Sequence, residues 1–133
     1  MVKRILFLYL FVFLLSGNMF AHNTPDNDFK VKGFFIDLRN QVMTIEALND
    51  YAKELSQQGI NTLVVEWEAT YPYEKHPIIA NEVAYTRGEI ASFVSNCREL
   101  GIDVIPMQEN YVHVEYILRH DRYSNLRVKP NVI

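Results

Sequence analysis

Residues 60–77 read INTLVVEWEATYPYEKHP, and the fold class turns on this stretch. It opens on Thr62-Leu63-Val64-Val65, a short run of apolar and β-branched side chains, then changes to carboxylates and aromatics. A continuous apolar run of this kind marks a strand buried on both faces, as in a parallel sheet covered by helices. Glu66 and Glu68 come where that strand leaves the core, accompanied by Trp67, Tyr71 and Tyr73. Parallel α/β folds hold their ligands at the carboxyl ends of the strands. This end is therefore expected to border a site.

Similar units lie on either side. Val31–Leu38, VKGFFIDL, is a short apolar strand ending at Asp37. Thr44 suits a helix N-cap, with Ile45, Leu48, Ala52 and Leu55 at helical spacing and Gly59 as the stop. After the loop Tyr71–Pro77, Thr86 and Glu89 have the spacing of a capping box. The helix they start buries Ile90, Phe93, Val94 and Cys97 and stops near Gly101, and Ile102–Pro106 is the next strand. Val112–His120 is expected to begin a third helix. An internal echo supports the order: Gly59-Ile60-Asn61 and Gly101-Ile102-Asp103 each end a helix and lead into a buried strand. Strand–helix units of roughly 40 residues imply right-handed parallel connections, in a doubly wound sheet or a (β/α)8 barrel. A barrel takes about 250 residues, so Val31–Ile133 is expected to be the N-terminal, incomplete portion of an α/β TIM-barrel domain.

The first 21 residues read differently. Lys3 and Arg4 precede the apolar run Ile5–Leu15, the layout of a secretory signal peptide with its cut expected after Ala21. The run is well short of the ~20 residues of a membrane span, so stable membrane insertion is not expected after cleavage. His22–Lys30 reads as a flexible leader. Met1–Ala21 holds two of the thirteen basic residues and none of the sixteen acidic ones, which leaves the mature part eleven against sixteen, or −5. That balance argues against nucleic acid, whose phosphates need a basic surface. The lone Cys97 cannot form an internal disulfide and reads as a small buried hydrophobe.

Polar residues end each strand: Asp37 and Arg39, then Glu66 and Glu68, then Gln108, Glu109 and His113. Carboxylates and a histidine gathered at one rim suit general acid–base work or a grip on sugar hydroxyls. Taken singly, Arg39, Glu74 and Glu109 read better as solvated loop residues. Asp37, Glu68 and His113 recur from unit to unit and read as functional. Tyr71 and Tyr73 suit stacking on a sugar ring or covering the end of the sheet. Trp67 alternates with both glutamates and so belongs in the core. No metal site is expected, because the histidines lack zinc spacing and neither CxxC nor HExxH occurs. No cofactor motif is present either: neither a Gly-rich phosphate loop nor GxSxG is found.

KGFFIDLR (Lys32–Arg39), residues 60–77 and GIDVIPMQENYVHVEYILRHDRYSNLR (Gly101–Arg127) together resemble the first three strand units of the family 20 glycoside hydrolase barrel. The nearest likeness is to its hexosaminidase D-like branch. The resemblance covers Lys32 to about Arg127 and rests on the linked strand ends and the E-x-E…P-Y-E pattern. It implies a retaining β-N-acetylhexosaminidase acting on an N-acetylhexosamine-containing glycan, with the substrate's own acetamido oxygen as the nucleophile. It places the catalytic Asp–Glu pair at the end of a fourth strand, beyond Ile133, so no catalytic residue is assigned within the chain. It gives Lys32 the place of an arginine that grips sugar hydroxyls, as a point charge without the fork. It sets Asp37 at the family's first-strand Asp, Glu68 or Glu66 at its second-strand acid, and His113 at the His after its third strand. Those residues would bind substrate or orient the catalytic acid. Two other readings stay open: a non-catalytic carbohydrate-binding or interaction module, and an enzyme of another barrel family built on Glu66, Glu68 and His113.

Overall fold

The computed structural model describes residues 29–129. The signal reading of Met1–Ala21, most of the leader and the chain from Pro130 onward lie outside them. No helix among the described residues is long and apolar enough to cross a membrane.

Strands β1 (Gly33–Asp37), β2 (Thr62–Glu66) and β3 (Asp103–Met107) form a parallel sheet in the order β1-β2-β3. Helices α1 (Ile45–Gln57) and α2 (Arg87–Glu99) connect them. The alternation of strand and helix is the α/β pattern expected, in an open sheet consistent with part of a TIM barrel. Thr44 caps α1 through its hydroxyl, which accepts from the Ala47 N–H at 3.2 Å. Thr86 and Glu89 form the capping box, with the Thr86 N–H donating to Glu89 Oε2 at 2.7 Å. That bond and the Thr86 hydroxyl hold the Glu89 carboxyl below its usual range.

The echo seen in the sequence is one C-cap built twice. Gly59 (φ 84°) and Gly101 (φ 75°) take the left-handed backbone that glycine tolerates. The N–H of Gly59 donates to Ser56 O at 2.9 Å and that of Ile60 to Leu55 O at 3.1 Å. Gly101 and Ile102 repeat this with Arg98 O at 3.1 Å and Cys97 O at 2.8 Å. Both are Schellman closures, and each aims the chain straight into the following strand.

Register assigns the two faces of the sheet. Ile36 pairs with Val65 and Phe34 with Leu63, and successive residues of a strand alternate faces. Ile36, Leu38, Leu63, Val65 and Trp67 join Leu48, Ala52 and Leu55 of α1 and Phe93 and Cys97 of α2 in one core. Each fully buried Leu, Val or Phe here contributes about 1.5–3 kcal/mol. Asn96 of α2 donates to Asn49 of α1 at 3.0 Å, and Ser56 donates to Leu100 O at 2.9 Å. The opposite face carries Phe35, Val64 and Ile105 side by side, with Phe35 47% and Ile105 49% exposed. Pro106 fits β3 because the Asp103 N–H donates to Asn61 O at 2.9 Å. N–H directions alternate along a strand, so the missing N–H of Pro106 falls on the side away from β2.

The third helix departs from expectation. Only Glu115–Leu118 is helical, as α3, and a 3-10 turn follows over Asp121–Leu126. His113 has φ 55° and Val114 offers no side-chain cap, so a helix cannot start at Val112.

Candidate functional site

The carboxyl ends of β1 and β2 are locked side by side. Asp37 pairs in register with Glu66, and the Leu38 N–H donates to Glu66 O at 3.1 Å. Arg39 then folds back on Asp37. Its backbone N–H donates to Oδ1 at 2.8 Å, Nε to Oδ1 at 3.0 Å and Nη2 to Oδ2 at 2.7 Å. This fork is the largest influence on the Asp37 carboxyl and holds it below its ordinary range. Arg39 Nε also lies 3.6 Å from Glu66 Oε1. Arg39 had read as a solvated loop residue, and it is the cation between the strand ends. An Arg two places after a strand-end Asp was the available signal, but its link to Glu66 depends on strand pairing.

Glu66 ends β2 on the face away from the helices and is 1% exposed. Trp67 turns into the core beneath, meeting Tyr85 edge-on at 5.7 Å and Phe93 at 6.2 Å. The Tyr85 hydroxyl donates to Met43 O at 2.6 Å, tying the segment to the entry of α1. Glu68 follows in left-handed backbone, φ 41°, opening a 3-10 turn over Glu68–Thr70. Buried Thr70 closes that turn by donating to Trp67 O at 2.5 Å.

Glu68 and His113 are the non-glycine residues with positive φ among those described. Such backbone costs about 1–2 kcal/mol per residue and gathers at functional sites. Both line one cavity of about 360 Å³, with Arg39, Asn40, Glu115 and Tyr116. Burial, and next the charge of Glu66, push the Glu68 carboxyl up to about 7, against the pull of Arg39. Between Glu66 and Glu68, it is Glu68 that borders the cavity.

A hydrogen-bonded chain stands behind it. The Tyr73 hydroxyl donates to Gln108 Oε1 at 2.6 Å, and Gln108 Nε2 donates to the Tyr116 hydroxyl. The Tyr73 and Tyr116 hydroxyls are raised, chiefly by burial. Tyr116 borders the same cavity, and no signal in the sequence singled it out.

Other residues sit elsewhere. Lys32 lies at the start of β1, where its N–H donates to Asn61 Oδ1 at 2.9 Å. Four residues, 33–36, stand between it and Asp37, a rise of about 17 Å over five steps, so it is not brought to the cavity. Glu74 pairs with Arg87 at the surface. Glu109 lends only its carbonyl oxygen, which accepts from the Tyr116 hydroxyl at 3.3 Å. Tyr71 meets Tyr73 edge-on at 5.2 Å and lines a separate shallow cleft with Arg87. Cys97 is buried and its thiol is pushed up to about 11 by that burial, which suits a core hydrophobe. Among the described residues no group of three or more His, Cys, Asp or Glu is placed to hold a metal ion.

The arrangement can bind and orient a polar ligand and hold a proton at Glu68. No protein-family model matches the chain. Human (Homo sapiens) hexosaminidase D is 25% identical over 100 residues, 74% of this chain and 21% of the relative. Hexosaminidase D of cattle (Bos taurus) is 26% identical over 93 residues, 69% of this chain and 27% of the relative. The chain thus spans about a fifth to a quarter of the length of these curated relatives. This distant similarity to hexosaminidase D bears out the family resemblance read from the strand ends.

Proposed function

We propose that this chain supplies the first three strand units and part of the substrate rim of an exported β-N-acetylhexosaminidase-like glycoside hydrolase. The observation that carries the reading is the cavity at the strand ends, which the positive-φ residues Glu68 and His113 line together with Arg39. The distant similarity to hexosaminidase D supplies the reaction class. The substrate is a glycan ending in N-acetylhexosamine, hydrolysed with retention by attack of its own acetamido oxygen. In that reaction these residues bind and orient. Glu68, holding a proton near neutrality, and His113 position the general acid, and the Asp37–Arg39 fork keeps the rim rigid.

The test is release of 4-nitrophenol from the β-N-acetylglucosaminide and β-N-acetylgalactosaminide by the gene product carrying these residues. Hydrolysis is expected, with Glu68→Gln lowering kcat by about 10²-fold, as misplacement of a catalytic group does. Binding of N-acetylglucosamine without hydrolysis would instead favour the non-catalytic module, and neither binding nor hydrolysis would sink the carbohydrate reading. Export is tested separately by N-terminal sequencing of the mature protein, which is expected to begin at His22.

A further inference from the structure

We propose that Glu66 and Glu68 hold one proton between them, carried on Glu68, and that Arg39 fixes its place by pairing with Glu66. The hydrolase reading is not needed for this. Glu66 is 1% and Glu68 5% exposed, and among the described residues the Oε1 of each has no hydrogen-bond partner. Two neighbouring buried carboxylates cannot both ionise without compensation, because each has lost its hydration and faces a like charge.

Among the described residues the compensation available is a single guanidinium. Arg39 spends its fork on Asp37 and reaches Glu66 Oε1 with Nε at 3.6 Å. The described groups around Glu68 do not supply a second fixed cation. Asp37 and Arg39 face it from the end of β1, Glu66 from β2, Tyr73 from the loop after β2, and His113, Glu115 and Tyr116 from the segment after β3. Asp37 and Glu115 add negative charge, and the tyrosines remain neutral because their hydroxyls are raised. Glu66, closest to the guanidinium, keeps the charge, and Glu68 keeps the proton. Its carboxyl, raised to about 7, agrees with that assignment.

A protonated Glu68 offers an O–H donor to the cavity. The complementary ligand group is an acceptor, a hydroxyl or carbonyl oxygen, and not an ammonium. Arg39 is thus a positioning residue that decides which carboxyl donates.

The test is infrared spectroscopy of the full chain, following the C=O band of a protonated carboxyl from about pH 5 to 9, above the range of ordinary carboxyls. The band is expected to disappear with a midpoint near neutrality and to be absent from Glu68→Gln above about pH 5.5. In Glu66→Gln its midpoint should fall by roughly one pH unit or more. Arg39→Gln should raise the midpoint, and Arg39→Lys should return it towards the wild-type value. Absence of such a band in the wild type would overturn the proposal. So would a band that survives in Glu68→Gln, or a midpoint unmoved in Glu66→Gln. A midpoint unmoved in Arg39→Gln would remove Arg39 from its role.

Discussion

At the scale of single residues, Glu68 couples the site to stability. Its carboxyl is raised from the 4.5 of an unfolded chain to about 7. Between those values the folded chain binds more protons than the unfolded one, so stability falls as pH rises. The contribution is fully present below about 4.5 and is lost as pH passes through 7. The expected loss in urea unfolding between those limits is about 3 kcal/mol, and Glu68→Gln should flatten that slope. Asp37 works in the opposite sense. Its carboxyl is lowered by Arg39, so what it adds to stability is lost only as pH falls into the acid range. The placing of Asp37 at a strand end, and of Glu68 just beyond one, was legible on sequence because polar residues recur there. Arg39 and Tyr116 were not, because one needed strand pairing and the other a short helix turned towards Glu68.

At the scale of elements, the repeated glycine closures carry much of the architecture. Each lets a helix end and a strand begin within a few residues, and each needs a positive φ. Gly59→Ala and Gly101→Ala should each destabilise the fold by about 1 kcal/mol through αL strain, read as a lower urea midpoint with unchanged slope. Apart from each glycine's chain neighbours, no described atom lies within 4 Å of where a Cβ would stand at either position. The cost is therefore one of backbone conformation, not crowding. Caps and stops of this kind were legible in the sequence, since Thr44, Thr86, Glu89 and the two glycines act within a turn of where they stand. The third helix does begin within Val112–His120, but only at Glu115 and for one turn, because the apolar spacing does not reveal that His113 takes left-handed backbone.

At the scale of the whole molecule, the sheet is covered unequally. Two helices bury one face, while Phe35 and Ile105 are each about half exposed on the other, flanking Val64. Apolar surface of this kind drives association. The chain by itself is expected to show concentration-dependent self-association in sedimentation velocity. Phe35→Lys with Ile105→Lys should increase the monomer fraction while leaving the far-ultraviolet circular dichroism unchanged. An unchanged distribution would show that this face is not the one that associates.

The sequence by itself determined the succession of strand and helix, the caps that bound the long helices, the placing of Trp67 in the core and the family likeness. Each of these rests on residues close in the chain, where hydrogen-bond reach and side-chain periodicity act directly. Only the tertiary structure decided which glutamate borders the cavity, that Arg39 bridges Asp37 and Glu66, and that Lys32 lies at the far end of β1. Those outcomes depend on strand register and on burial. A charge's environment is set by what the fold brings within a few ångströms of it, and sequence distance does not encode that.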